Sequence, residues 1–252
     1  MIETWKIPAL FGTGLVAGFV DSIAGGGGLI TLPVLLSVLP DPQLALGTNK
    51  FQAAFGSGSA AAHYAHAGAV DLRDCARGCV VTFLGAALGT LAVRSLDTHF
   101  LKVAVPLLLI AVAVYTWRRP ELGQQERAAK MTRLKFDVLF GLLLGFYDGF
   151  FGPGAGTFWT MAFVLCLGFN LTRATGYTKA VNFASNVCSL LIFLAAGKVD
   201  FVAGGCMGAG QLIGARFGSR MVLRGGAQFI RPIFISVVLV LTTKLLYDAF
   251  TK

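Results

Sequence analysis

Charge is what this chain has least of. Only 13% of its 252 residues are Asp, Glu, Lys or Arg, against about a quarter in a soluble globular domain. The few charges gather in short connecting stretches and leave long apolar runs almost bare. With 56% hydrophobic residues and a mean hydropathy of +0.73, the chain reads as an integral membrane protein. At about 20 residues per spanning helix it has room for roughly seven to nine crossings, and nothing is left for a soluble domain.

Metal-ligating and nucleophilic constellations are also missing. The five cysteines include no CxxC pair, so neither a disulfide framework nor a thiolate metal site follows. Cys75 and Cys79 stand one helical turn apart, a spacing that suits packing. His63 and His66 are also one turn apart, with no third ligand in view, and are expected at the membrane interface. There is no HExxH and no clustered Asp/His set, which argues against an intramembrane enzyme. Gly152-Pro153-Gly154-Ala155-Gly156 resembles a phosphate loop but lacks the following Gly-Lys-Ser/Thr and any preceding strand. No metal and no cofactor are expected, and primary ATP-driven pumping by this chain alone is excluded. The opening Met1 to Lys6 has no convincing basic region or small-residue cleavage site, so the first apolar run is read as permanent.

Acidic residues are scarcer than basic ones, 12 against 21, for a net charge of +9. The basic residues lie between apolar segments, so the partner they imply is membrane lipid and not nucleic acid. Their densest cluster, Arg118, Arg119, Arg127, Lys130, Arg133 and Lys135, is what a cytoplasmic loop carries.

What the sequence does contain, it contains twice. Gly18-Phe19-Val20-Asp21, followed by Gly25 to Gly28, is echoed by Gly145-Phe146-Tyr147-Asp148, followed by Gly152-Pro153-Gly154-Ala155-Gly156. Ala45-Leu46-Gly47-Thr48-Asn49-Lys50 is echoed by Ala174-Thr175-Gly176-Tyr177-Thr178-Lys179. Asp21 to Asp148 is an offset of 127 residues and Lys50 to Lys179 one of 129. The pattern is a tandem duplication: membrane repeat one over 1–117, a basic cytoplasmic linker over 118–135, and membrane repeat two over 136–252. Apolar runs near 8–24 with 28–40, 47–67, 75–93 and 100–117 answer to 136–150 with 156–169, 177–196, 201–222 and 229–250. The expected fold is all-α, with about eight transmembrane segments as two four-segment repeats, the first segment of each broken at its glycine motif. A break that crosses once makes the halves parallel, and one that returns makes them inverted. Loop charges score nearly equally either way, and the analogy with transporters built on broken helices favours inversion. Small residues four apart (Gly14 and Gly18, Gly85 and Gly89, Gly141 and Gly145, Gly210 with Gly214 and Gly218) are expected to bring helix backbones together.

A broken helix survives in hydrocarbon only where protein or a wet cavity surrounds it. Gly25, Gly26, Gly27, Gly28 and, in the second half, Gly152, Gly154 and Gly156 therefore belong inside the protein. A helix restarting after such a break presents free N–H groups and suits an anion. Lys50 and Lys179 lie early in apolar segments, where a charge costs roughly 2.5 to 3.5 kcal/mol. Either they reach the surface, or they face a cavity and hold negative charge. Thr48, Asn49, Gln52, Thr178, Asn182 and Asn186 lie nearby as neutral hydrogen-bonding groups, with Ser185 beside them. Asp21 and Asp148 precede the two breaks, and three roles stay open for them: capping the break, pairing with the lysines, or carrying protons, since burial favours the neutral carboxyl. Asp71 and Asp200 look like turn or cap residues.

At these motifs the chain resembles the TauE/SafE sulfite exporter family, also described as the toluene-sulfonate uptake permease family. The resemblance rests on Asp21 to Ile30, Ala45 to Lys50, Tyr147 to Gly154 and Thr178 to Phe183, and it continues through Gly214-Ala215 and Ile230-Arg231-Pro232. It implies a multi-pass permease of the inner membrane, with sulfite, sulfonates or other small organic anions as the substrate class. Repeat two has Gly-Tyr-Thr-Lys where repeat one has Gly-Thr-Asn-Lys, so the half-sites differ chemically. The expected function is a secondary transporter of a small anion coupled to protons or the membrane potential, and not an enzyme. A passive channel, a non-transporting assembly subunit and self-association stay open.

Overall fold

The computed structural model of the chain describes residues 6–93 and 125–250. The expected span at 100–117, with Arg118 and Arg119, lies outside the described residues. Every regular element among them is an α-helix: α1 (Lys6–Ala24), α2 (Gly27–Val38), α3 (Pro42–His66), α4 (Leu72–Ala92), α5 (Arg133–Phe150), α6 (Ala155–Leu167), α7 (Leu171–Ala195) and α8 (Phe201–Phe250). The last changes direction at Gly226, whose φ of 57° and ψ of −151° are not helical. Three of these, α1, α4 and α7, are long and apolar enough to cross a membrane.

Helix starts follow side-chain chemistry. Asp41 Oδ1 accepts from Gln43 N at 2.9 Å ahead of Pro42, a proline at the one helical position where its missing N–H costs nothing. Asp71 caps α4 through Arg73 N at 2.9 Å, and Asn170 caps α7 through Arg173 N at 2.9 Å. Each cap satisfies an N–H that the helix itself cannot. Asp200 likewise accepts from Ala203 N at 2.8 Å at the head of α8.

The glycine breaks are chain reversals. Gly25, four residues after Asp21, has φ 78°, and Gly152, four after Asp148, has φ 88°, a region that side chains disfavour. Beyond them, α2 and α6 have only 12 and 13 residues. At 1.5 Å per residue each spans about 18–20 Å, short of a hydrocarbon core of about 30 Å. Leu35, late in α2, and Leu39, just past its end, are buried in one cluster with Leu10, near the start of α1. Phe163, late in α6, packs its ring 4.9 Å from that of Phe136, near the start of α5. Each pair is therefore a hairpin that enters the protein and returns to the end it came from.

Glycine ridges join the hairpins to the long helices. A Cβ on Gly14 would lie 2.0 Å from the Met207 carbonyl oxygen, and one on Gly214 would lie 2.0 Å from that of Leu15. In the other interface, a Cβ on Gly145 would lie 2.6 Å from the Thr82 oxygen and one on Gly89 2.0 Å from that of Phe146. Backbones this close need glycine, and dispersion between them supplies the attraction that water exclusion does not provide in lipid. So α1 lies along α8 and α5 along α4, and the hairpin of each half of the chain is clasped by a helix of the other half.

Candidate functional site

The two reversals meet back to back. A Cβ on Gly25 would fall 2.4 Å from the Gly156 carbonyl carbon, and Thr157 Oγ1 donates to the Ala24 carbonyl at 2.9 Å. Beside this contact lies a cavity of about 30 Å³, room for about two waters. Asp21, Lys50, Asp148, Asn182, Asn186 and Gln211 provide its charged and amide lining, together with Asn49 and several of the break glycines.

Both lysines are buried, and each reaches across to the aspartate of the opposite half. Lys50 Nζ lies 2.7 Å from Asp148 Oδ1 and donates also to the Asp148 carbonyl. Lys179 Nζ lies 2.9 Å from Asp21 Oδ2. The surface-seeking alternative for these lysines does not hold in this arrangement. Of the three roles open to the aspartates, pairing is present in both, and Asp21 also caps: its Oδ1 accepts from Gly27 N at 3.0 Å. Asp148 receives a further bond from the Ser185 hydroxyl.

Some of the N–H groups expected to be available after each break are already taken. Gly27 N is held by Asp21, and Leu29 N donates to the Gly26 carbonyl at 3.1 Å. In the other hairpin Ala155 N and Thr157 N donate to the Gly152 and Gly154 carbonyls, each at 3.0 Å. The physical reason is that a tight reversal recycles its own carbonyls to the next helix's first turn. Gly25, Gly28, Gly152, Gly154 and Gly156 still line the cavity, where they leave room that a side chain would fill. An added Cβ at Gly152 would stand 3.0 Å from Lys50 Nζ.

Other expected residues lie behind the cavity wall. Gln52 Nε2 donates to Asn49 Oδ1 at 2.8 Å and to Thr31 Oγ1 at 3.1 Å, which steadies Asn49. Thr178 Oγ1 meets Thr160 Oγ1 at 3.1 Å. Thr48 turns away and accepts from Asp200 N at 2.9 Å. Gly26, Gly27 and Lys179 complete the break and its ion pair without lining the space. Gln211, on α8, is the residue the sequence reading missed. Its signal was a single amide among the small residues Gly208, Ala209, Gly210 and Gly214. Asp137 was missed too; it is buried at the far end of α5 between Arg77 and Arg133, 2.9 Å from each. No group of three or more metal-ligating side chains occurs among the described residues.

An apolar helical body, two helices broken at its centre and charged residues paired around a small internal cavity define the chain as a membrane protein of transporter type. Comparison with known proteins agrees. The sequence pattern of the family described as "Sulfite exporter TauE/SafE" matches residues 10–245. The chain is 43% identical over 249 residues to "Probable membrane transporter protein YfcA" of Escherichia coli, covering 99% of this chain and 93% of that one. It is 44% identical over 239 residues to "Probable membrane transporter protein" of Haemophilus influenzae, covering 95% and 94%. At 26% identity over 250 residues it matches "Probable membrane transporter protein YdhB" of Bacillus subtilis. No solved structure matches it. The chain belongs to the TauE/SafE family of membrane transporters.

Proposed function

We propose that this protein is a secondary transporter of a small anion, sulfite or an organosulfur anion, in which transport is coupled to protons. The observation that carries the reading is the pair of crossed Lys–Asp contacts, Lys50 with Asp148 and Lys179 with Asp21, at one cavity between two helix breaks. Their formal charges cancel, and a low-dielectric site tolerates net charge poorly. An anion entering it must bring a positive charge or part a pair. Binding to Lys50 frees the Asp148 carboxylate, and a proton on that carboxylate restores neutrality. Proton coupling is thus built into how the site is balanced.

The same reading orders the whole chain. Repeat one (1–117), the basic linker (118–135) and repeat two (136–252) make eight segments in the inner membrane, the linker facing the cytoplasm. The halves are inverted, each beginning with a re-entrant hairpin. Inverted repeats around a central site at broken helices are the usual architecture for alternating access.

The test is flux in proteoliposomes across sulfite, thiosulfate, small sulfonates and small carboxylates, with and without a pH gradient. Saturable flux of one anion, driven by the gradient and lost in the Lys50→Ala/Lys179→Ala protein, is the expected result. Asp148→Asn should weaken dependence on the gradient. Flux that survives in the folded double variant would remove the lysines from the mechanism, and flux without saturation or counterflow would make the protein a channel.

A further inference from the structure

Arginine stands on α8 where a lipid-facing helix should be apolar. Arg216, Arg220 and Arg224 recur at every fourth residue and all are exposed, so they stack in one row along the helix. Leu212, Ile213, Phe217 and Met221 are exposed among them. Gly214 and Gly218 turn the opposite side of this stretch onto α1, which leaves the arginine row facing outward. Counted from Phe201 at 1.5 Å per residue, Arg216 stands about 22 Å along and Arg220 about 28 Å, both within a hydrocarbon core of about 30 Å. Arg224, at about 35 Å, reaches past it. Marking the cytoplasmic side needs no guanidinium at such depth, since loop charges such as Lys130 and Lys135 serve for that.

No carboxylate of the chain balances this row. An added Cβ on Gly208 would stand 2.8 Å from the Phe55 ring, and Ser59 Oγ donates to the Leu212 carbonyl at 3.1 Å, so α3 and α8 run side by side in a register of four. The next step brings His63 beside Arg216, a neighbour without negative charge. Among the described residues none of the three guanidiniums meets a carboxylate, whereas Arg77, Arg133 and Arg173 at the same end each do. The acidic groups of that end are engaged: Asp74 and Asp137 with Arg133, Glu126 with Arg173, and Asp71 as the cap of α4. A second copy of the chain therefore brings no spare carboxylate from this end. A lipid phosphate does bring the missing charge. It sits at the membrane surface, where long arginine side chains reach up to it, it accepts two parallel bonds from one guanidinium, and its acyl chains cover the apolar residues beside the row. We infer that Arg216, Arg220 and Arg224, on the outer side of α8 next to α3, bind the headgroup of an anionic phospholipid. The site is separate from the central cavity, which α8 lines from its inner side with Gln211.

The probes are dioleoylphosphatidylglycerol and dioleoylphosphatidylcholine, which share their acyl chains and differ in headgroup charge. Each is titrated into the full chain purified in neutral detergent, and binding is read from the shift in thermal unfolding. The anionic lipid should half-saturate at a concentration about tenfold lower or less, the scale of two or three arginines at a charged surface. Arg216→Gln/Arg220→Gln should bring the two lipids close together, and Arg220→Gln alone, on the exposed side, should move the ratio the same way if the double variant does not fold. Lys130→Gln/Lys135→Gln removes as many charges from the same end and should keep the preference. Glycerol 3-phosphate, which has the phosphate without the chains, should leave unfolding unchanged at matching concentrations. Equal action of the two lipids on the unmodified protein overturns the site. An equal loss in the lysine and arginine variants also overturns it, by reducing the effect to diffuse charge, and stabilisation by glycerol 3-phosphate would replace the lipid with a soluble phosphate.

Discussion

The two Lys–Asp pairs have the same composition and different settings. Lys50 and Asp148 both line the cavity, and their side chains are 3% and 6% exposed. Ser185 holds the second carboxylate oxygen. Lys179 is fully buried behind the wall, while its partner Asp21 is 19% exposed, lines the cavity and spends its other oxygen on Gly27 N. One pair thus offers both its members to the cavity and the other only its anion. The difference teaches that two contacts of like chemistry, at matching positions of the sequence, can differ in burial and partners because of what surrounds them. Lys50 lines the cavity, where the proposed function has it meet substrate, and Lys179 holds Asp21 at the first break.

Removing one lysine at a time breaks this comparison most directly. Lys50→Ala leaves the Asp148 carboxylate buried with a hydroxyl as its remaining side-chain partner. Losing one member of a buried pair costs about 3–5 kcal/mol, mainly for the uncompensated charge left behind. Lys179→Ala should cost less stability, because Asp21 reaches the cavity and keeps its bond to Gly27 N. Thermal unfolding of the two purified variants measures the difference, and equal losses would contradict the unequal settings. Restoring neutrality in Lys50→Met/Asp148→Leu should recover much of the stability without recovering flux.

Much of this arrangement could be read before any coordinates. Asp21, Asp148, Lys50 and Lys179 were visible because a charge inside an apolar run is costly, and recurrence at offsets of 127 and 129 makes accident untenable. The glycine ridges declared their packing for the same reason, and each of them stands in one of the two clasping interfaces. Chain direction at the breaks was not legible. Loop charge nearly ties between one crossing and a return, and the deciding packing, Leu10 in one cluster with Leu35 and Leu39 and the ring of Phe136 on that of Phe163, is apolar and long-range and carries no local signature. Which lysine pairs with which aspartate was equally hidden, since pairing across halves depends on how α3 and α7 pass the hairpins. Gln211 was overlooked because its partner in the duplication is Thr82, so no repeated motif drew attention to it.

A gentler change sharpens the comparison through Ser185. Ser185→Gly gives the second half the residue that the first half has at Gly56, and removes one charge-assisted hydrogen bond to Asp148. Such bonds contribute about 1.5–3 kcal/mol, and water admitted to the vacated space offsets part of the loss. The expected variant folds with a moderately lowered unfolding temperature and slower gradient-driven flux, because the Asp148 carboxylate has lost the donor that would hold it when an anion takes up Lys50. Unaltered flux alongside lowered stability would confine Ser185 to packing.

The smallest effect is expected from a third Lys–Asp contact, which has the same chemistry without the burial. Lys198 Nζ lies 2.6 Å from Asp41 Oδ2 with both side chains more than a third exposed. The hydrogen bond from Lys198, then that from the Gln43 N–H, holds the Asp41 carboxyl below its ordinary range. A lowered carboxyl contributes stability above its unfolded-state value and loses it as pH falls through the folded one. Solvent screening keeps exposed pairs near 0–1 kcal/mol. In the duplication Asp41 corresponds to Asn170, which caps α7 as Asp41 caps α3. Asp41→Asn therefore keeps the cap and removes only the ion pair. Its unfolding temperature should sit slightly below that of the unmodified protein near neutral pH and converge with it in acid. Asp41→Ala removes the cap as well, for about 1 kcal/mol more. A loss in Asp41→Asn as large as that in Lys50→Ala would mean that burial is not what separates these pairs, and the contrast between the two central contacts would then need another cause.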